Sequence, residues 1–133
     1  MIGALLKGLA KTFEQCFRKP ITIQYPEQKR EVSKRFRGHP YLLRDENGRL
    51  KCVACCLCAT VCPSGAITIE PGSAGMHEKY PKQFVIDLAR CIFCGFCEGA
   101  CPKGAIRLNR KYELAQYDRQ QLVYDRERLA ESD

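Results

Sequence analysis

The sequence predicts an α+β fold in which two β-α-β halves are related by a pseudo-two-fold axis. The first observation is an internal repeat: residues 52–69 match residues 91–108 at an offset of 39, with eight of eighteen positions identical. The second is the alternation of Phe84, Ile86 and Leu88 with other residues, which is typical of a strand that enters the second copy. Each copy therefore reads as a loop, a short helix from about its third cysteine, and a strand, at Ala66–Glu70 and Ala105–Asn109.

The two copies carry the same run of cysteines. Cys52–Pro63 reads CVACCLCATVCP and Cys91–Pro102 reads CIFCGFCEGACP, so both have the form C-x2-C-x2-C-x3-C-P. This run ligates cubane [4Fe–4S] clusters in two-cluster ferredoxins. Three cysteine thiolates with two residues between neighbours let one tight loop reach three corners of a cubane. The sequence therefore predicts a ferredoxin-like fold that binds two [4Fe–4S] clusters and moves electrons.

The ligands are expected to cross between the two runs. The fourth cysteine of each run lies one helical turn after the third, so it can face a different cluster. One cluster is expected on Cys52, Cys55, Cys58 and Cys101, and the other on Cys91, Cys94, Cys97 and Cys62. The repeat places Cys56 opposite Gly95, so Cys56 is not expected to be a ligand. Cys16 is expected to be a small buried apolar residue.

Ten cysteines are also compatible with a disulfide scaffold or with zinc sites. A secreted scaffold should carry a signal peptide, and none is expected from the start of this chain. Zinc sites usually combine two separate C-x2-C motifs, whereas each run in this chain has four cysteines close together. A reducing compartment is therefore expected. The part that contains the repeat, residues 49–109, is too small for its apolar core alone to stabilise it well. The two clusters should therefore act as cross-links that stabilise the fold, and the chain without them should be largely unfolded.

The positive charge lies before the first cysteine run. Residues 1–51 contain 12 Lys and Arg against 5 Asp and Glu, whereas residues 52–133 contain 10 of each, and the net charge is +7. Two bound cubanes with thiolate ligands would reduce it to about +3. Lys51, Arg90 and Lys103 flank the loops, and each is expected either to offset the cluster charge or to be an ordinary solvated surface cation.

Residues 1–19 predict an amphipathic interfacial helix. Its apolar residues recur at helical spacing, and Lys7, Lys11 and Glu14 lie on the other side. The segment is too short and too charged to span a bilayer. It is expected to lie on a membrane surface or against a partner, or else to pack on its own domain.

Residues 20–48 predict an extended basic connector, because three prolines interrupt it and a basic run occupies Lys29–Arg37. Only one aromatic residue, Phe36, interleaves with this run and no nucleic-acid-binding module surrounds it, so a phosphate- or partner-facing arm is expected and nucleic acid is not expected as a partner. His39 is expected to be a loop histidine. A hairpin is predicted from Tyr41–Arg44 and Arg49–Lys51.

The two-cluster domain is predicted over residues 49–109. Within it, a turn is expected at Pro71–Gly75 and an inserted loop at Met76–Pro81. Residues 110–133 predict a partly helical C-terminal docking extension that cannot bury its apolar residues alone.

The segments that flank the cysteine runs carry a more specific resemblance. Phe17–Glu27, Arg35–Arg44, Cys91–Ile106 and Tyr112–Leu129 together resemble the ferredoxin-like iron–sulfur subunit of complex I, subunit I of bacterial NADH:quinone oxidoreductase. The resemblance runs from about Leu9 to Leu129. It implies that the eight cysteines assigned above are the ligands of two [4Fe–4S] clusters.

The resemblance also implies a position and a function. The chain would lie at the junction of the hydrophilic and membrane arms, peripheral on the cytoplasmic face of the bacterial inner membrane. It would pass electrons that began on NADH toward the terminal cluster and quinone, with the other subunits of both arms as partners. Similar subunits occur in membrane-bound hydrogenases and related dehydrogenases, and a free two-cluster ferredoxin is a further alternative.

The chain shows no motif for chemistry of its own beyond electron transfer. It contains no G-x-G-x-x-G sequence and no P-loop, so direct NADH binding is not expected, and no catalytic acid, base or nucleophile is predicted. Four apolar residues inside the cysteine loops are expected to shield the clusters from water: Val53, Leu57, Ile92 and Phe96.

Overall fold

The structure is a computed structural model that describes residues 2–73 and 79–131. The chain forms two compact units, Met1–Val32 and Ser33–Asp133. This division differs from the sequence-based boundaries after residues 19 and 48. Much of the predicted connector belongs to the second unit, because its end forms a strand of that unit.

The first unit contains the predicted N-terminal helix, α1, at Ile2–Gln15. Lys11 and Arg18 each form an ion pair with Glu14 at 2.7 Å. None of the residues of α1 is buried. Cys16 lies just beyond the helix and is exposed, so the expectation that it is buried was wrong. No helix in residues 2–73 and 79–131 has the length and apolarity needed to cross a membrane.

The second unit combines short strands and short helices. Its strands are β1 (Pro40–Leu42), β2 (Ile67–Ser73), β3 (Lys79–Asp87), β4 (Ile106–Leu108) and β5 (Val123–Tyr124). Its α-helices are α2 (Leu57–Val61), α3 (Phe96–Ala100) and α4 (Arg126–Glu131), and a 3-10 helix occupies Arg119–Leu122. One sheet pairs β1 with β4, and the other has the order β2-β3-β5, with antiparallel pairing throughout. The α+β class predicted from the repeat is confirmed.

The β1–β4 pair joins the connector to the end of the second repeat. Leu42 pairs with Ile106, and the backbone bonding continues outward through the Gly38 N–H to the Asn109 carbonyl at 2.9 Å. Beyond β1, Arg44 and Leu50 form an isolated antiparallel bridge, which confirms the predicted hairpin. The connector is therefore fixed to the domain from about residue 38 onward.

The β2–β3 hairpin is longer than the sequence predicts. Pro71–Ser73 belongs to β2 and Lys79–Pro81 to β3, so the predicted turn and inserted loop were wrong over these residues. A register shift between Glu70 and Pro71 accommodates the proline, which has no N–H to give to the ladder. The remainder of both predictions, residues 74–78, lies outside the described residues.

The core lies between the sheets and the cysteine loops. Phe84, Ile86 and Ile106 are each 1% exposed, and Leu129 of α4 is fully buried against them. The alternation predicted for the strand before the second run is thus confirmed. The C-terminal segment buries Leu129 on its own domain, contrary to the expectation that it needs a partner, whereas Tyr117 is fully exposed.

Candidate metal centre

Two cavities collect the cysteines of the two runs. The first is lined by Cys52, Cys55, Cys58 and Cys101, together with Cys56 and Lys103. The second is lined by Cys62, Cys91, Cys94 and Cys97. Each cavity thus contains the three cysteines predicted as ligands from one run and the fourth cysteine of the other, and the first cavity contains Cys56 as well. All ten cysteines lie within the described residues and are free thiols.

Left-handed backbone at matched positions bends each loop around its cavity. Three pairs of residues with positive φ are separated by the repeat offset of 39: Ala54 (48°) and Phe93 (52°), Cys56 (61°) and Gly95 (79°), and Gly65 (56°) and Gly104 (54°). The second pair immediately precedes α2 and α3. Equivalent turns in the two copies therefore produce equivalent loops, although both members of the first pair and Cys56 of the second pair carry a side chain in this sterically costly region.

Backbone N–H groups point at the cysteine sulfurs. The Ala66 N–H donates to Cys62 Sγ at 3.4 Å, and the Ala105 N–H donates to Cys101 Sγ at 3.2 Å. The Phe93 N–H donates to Cys91 Sγ at 3.4 Å. Such donors stabilise negative charge on sulfur and lower the cost of holding thiolates in a partly buried site.

Burial keeps several of these thiols neutral when no cation faces them. It raises the pKa of Cys58 to about 12 and that of Cys97 to about 11. Burial also raises the pKa of Cys52 and Cys91. For Cys62 burial acts in the same direction, but hydrogen bonds from Ser64 and Ala66 outweigh it and the pKa is lowered. The thiols would ionise against metal, with release of protons.

The donor set and the lining fit a thiolate-ligated iron–sulfur cluster. Apart from the cysteines, the walls of both cavities are largely apolar, with Leu42, Ile69 and Phe84 in the first and Ile67 and Ile86 in the second. Within residues 2–73 and 79–131, no three His, Cys, Asp or Glu side chains are placed to hold a single metal ion. Sulfurs that surround a space rather than a point suit a cubane, in which four irons separate the ligands, better than a zinc ion.

The residues that shield the cavities are not all those expected. Val53 is half-buried and lines the first cavity, and Ile92 lines the second although it is 61% exposed. Leu57 and Phe96 are 47% and 57% exposed and line neither cavity, so the prediction that they shield the clusters was wrong. The shielding comes instead from core residues of the strands. Among the cations expected near the loops, Lys103 lines the first cavity.

Two further residues near the site have roles that the sequence did not reveal. The Arg37 guanidinium donates a hydrogen bond to the Cys94 carbonyl. His39 is 2% exposed, so it is a core residue rather than a loop histidine, and its ring lies 4.9 Å from that of Tyr124. Neither ring nitrogen of His39 has a hydrogen-bond partner among the described residues. Both contacts join residues far apart in sequence, and no local pattern marks them.

Comparison with known proteins agrees with this geometry. A family profile described as a 4Fe-4S dicluster domain matches residues 51–105. The chain is 45% identical over 131 residues to NADH-quinone oxidoreductase subunit I 1 of Geobacter sulfurreducens, with 98% of each chain covered. It is 46% identical to NADH-quinone oxidoreductase subunit I of Pseudomonas putida, covering 96% of this chain and 70% of that protein.

A solved structure is also similar. It belongs to the membrane-bound sulfane sulfur reductase, an archaeal respiratory membrane complex, with a TM-score of 0.55 and 30% sequence identity. The match covers 84% of this chain, and this chain spans 56% of that one. Because it is 45% identical to a subunit I protein over 98% of both chains, the chain belongs to the NADH-quinone oxidoreductase subunit I family.

Proposed function

We propose that this chain is the electron-relay subunit of a membrane-associated NADH:quinone oxidoreductase and carries electrons through two [4Fe–4S] clusters toward the terminal cluster and quinone. The observation that carries the proposal is the division of eight cysteines between two cavities, each completed by a cysteine of the other run. When bound, such a cluster supplies one-electron chemistry, alternating between the 2+ and 1+ states of its core.

The cysteines that line the two cavities support a ligand assignment. The first cluster is held by Cys52, Cys55, Cys58 and Cys101, and the second by Cys91, Cys94, Cys97 and Cys62. The exchanged fourth cysteines directly follow α2 and α3, which pack against each other. Crossed ligation in a pseudo-two-fold arrangement would therefore fix the distance between the clusters, as an electron relay requires.

The protein groups around the clusters favour electron transfer over other chemistry. Buried apolar side chains such as Phe84 and Ile86 exclude water, and the N–H groups of Ala66 and Ala105 stabilise negative charge on the ligating sulfurs. Donors to sulfur raise the reduction potential, whereas exclusion of water lowers it. These opposed effects set the two potentials.

The N-terminal helix supports attachment to a membrane complex. Its apolar residues are all largely exposed, from 59% to 75% among Ile2, Leu5, Leu6, Leu9 and Phe13. Basic residues lie on the other side of the helix, including Lys7 and Lys11. We assign this face to the membrane surface and the neighbouring membrane-arm subunit, at the cytoplasmic side of the bacterial inner membrane. The partners of the cluster domain are then the subunits of the hydrophilic arm.

A second candidate function is the corresponding subunit of a related respiratory complex. The observation that favours it is the structural similarity to the membrane-bound sulfane sulfur reductase. The full-length identity to subunit I proteins favours the quinone-linked complex. Both candidates share the two-cluster relay and differ in the subunits attached to it.

Affinity purification from native membranes tests the proposal. The tagged chain should recover a flavin-containing subunit together with NADH dehydrogenase activity. Recovery of the chain alone from the soluble fraction, or with a nickel-containing or sulfur-reducing subunit, would contradict it.

The same purification tests the assignment of α1. A chain with both Leu5→Gln and Leu9→Gln should lose most of its membrane association. The matched control, Lys7→Gln, changes an exposed residue of the same helix without removing apolar surface and should retain association. Equal retention by the two variants would argue against a docking role for the apolar face.

A further inference from the structure

The Arg37 side chain lies across the loop of the second cysteine run. Its guanidinium donates to the Cys94 carbonyl. A Cβ placed on Gly95 would be 3.0 Å from Arg37 Cδ and 3.8 Å from Nη1, so the stem of the arginine covers the peptide that follows Cys94. The arginine therefore contacts the backbone at one predicted ligand and at the left-handed residue beside it.

The backbone beneath Arg37 is fixed. The Gly38 N–H donates to the Asn109 carbonyl at 2.9 Å, and the His39 N–H donates to the Lys111 carbonyl at 3.1 Å. A Cβ on Gly38 would lie 2.8 Å from the Asn109 carbonyl oxygen, so glycine permits this close approach. The anchoring holds the start of the arginine side chain in place over the loop, although the side chain itself is exposed.

The first loop differs at the equivalent position. Cys56 stands where the second loop has Gly95, and it holds the same left-handed backbone. The two loops are therefore similar in backbone, but the second has a glycine at the position that Arg37 covers. Glu98 lies in the same groove as Arg37, but its carboxylate accepts the Leu108 N–H at 3.3 Å.

We propose that Arg37 is a positioning residue that raises the reduction potential of the second cluster by holding a positive charge over the Cys94–Gly95 peptide. The inference rests on the proposed ligand assignment. A cubane with four thiolates changes from about −2 to about −3 when it accepts an electron from the preceding carrier of the relay. A fixed cation nearby favours the more negative state, and because Arg37 is exposed, salt weakens the effect.

EPR-monitored redox titration of the full chain, reconstituted with iron and sulfide, tests the inference. The two signals are first assigned with Cys58→Ala and Cys97→Ala, each of which should remove one of them. Arg37→Gln should lower the potential of the signal lost in Cys97→Ala and leave the other unchanged, with the iron content of both clusters retained. Arg37→Lys, which keeps the charge, should stay near the parent.

The control variant is Arg35→Gln, which removes the same charge two residues away and should shift the second potential less. In the parent chain, added salt should lower the second potential, and this decrease should be smaller in Arg37→Gln, which lacks the screened charge. The inference would be overturned if Arg37→Gln left the potentials unchanged or shifted both clusters equally. It would also be overturned if Arg35→Gln shifted the second potential as much as Arg37→Gln, or if Arg37→Lys lowered it as much as Arg37→Gln. Failure of Cys58→Ala and Cys97→Ala to remove different signals would instead contradict the ligand assignment.

Discussion

Cys56 and Gly95 hold the same left-handed backbone position in the two cysteine loops, with φ of 61° before α2 and 79° before α3. The repeat alone indicated that Cys56 is not a ligand, and the backbone shows what the position requires. A non-glycine residue in this conformation costs about 1–2 kcal/mol. We therefore predict that Cys56 is not a ligand, although it lines the first cavity, and that the position depends on backbone conformation rather than on sulfur chemistry.

Substitutions of Cys56 should follow conformational preference. Both Cys56→Ala and Cys56→Gly should keep both clusters. Cys56→Gly should be as stable as the parent or up to about 1 kcal/mol more stable, because glycine relieves the strain of positive φ but gains conformational entropy in the unfolded chain. Cys56→Val should be less stable than Cys56→Ala by about 1 kcal/mol, because a β-branched side chain fits this conformation poorly. Iron content and the urea midpoint of cluster absorbance under argon measure both effects. Loss of a cluster in Cys56→Ala would contradict the account.

Gly95→Ala should destabilise the chain by about 1–2 kcal/mol, because alanine would have to adopt a positive φ at this position and its Cβ would lie 3.0 Å from Arg37 Cδ. The matched control is Gly99→Ala in α3, where a Cβ meets nothing within 4 Å and should be neutral or stabilising. The same urea midpoint compares the two. Equal midpoints would show that Gly95 is not required for its conformation.

Leu129→Ala should lower the free energy of unfolding by about 2–5 kcal/mol, because Leu129 is fully buried in the core. Tyr117→Ala, at a fully exposed residue of the same C-terminal segment, should change it by less than about 0.5 kcal/mol. Urea unfolding of the cluster-bound chain measures both. Similar effects of the two substitutions would mean that the C-terminal segment does not belong to the core.

The features predicted from the sequence depend on local spacing. The period of α1, the alternation along β3 and the division of the cysteines into two groups of four all arise from residues near one another or from the repeat. The hairpin beyond Pro71 was missed because proline and glycine usually mark turns, and a register shift that accommodates a proline leaves no sequence signal.

The features that were missed depend on distant contacts. Arg37 lies 57 residues from the carbonyl that it binds, and its neighbours are a run of surface cations. His39 is buried by Tyr124, which comes 85 residues later. Neither position could be distinguished from an ordinary basic or loop residue until the chain was folded.

His39 should make the fold sensitive to acid. Burial, together with the positive charges of Lys111 and Arg128, lowers its pKa from 6.5 to about 4. Protonation therefore favours the unfolded chain below pH 6.5, and stability is lost progressively as the pH falls toward 4. Between pH 7.5 and 5.5 the loss should be about 1 kcal/mol.

His39→Leu, which has a similar volume and no titrating group, isolates this contribution. As the pH falls from 7.5 to 5.5, the urea midpoint of His39→Leu should rise relative to that of the parent. At pH 7.5 the variant should be at least as stable as the parent, because the ring nitrogens of His39 have no hydrogen-bond partner among the described residues. A difference between the two chains that is independent of pH would refute the prediction.

The central claim is that the two clusters exchange their fourth ligands, and the EPR spectrum of reduced Cys62→Ala tests it most directly. Cys62 belongs to the first run but lines the second cavity with Cys97, whereas Cys58 lines the first cavity. Cys62→Ala should lose the signal that Cys97→Ala loses and keep the signal that Cys58→Ala loses. If Cys62→Ala instead lost the same signal as Cys58→Ala, each run would hold its own cluster and the crossed arrangement would be wrong.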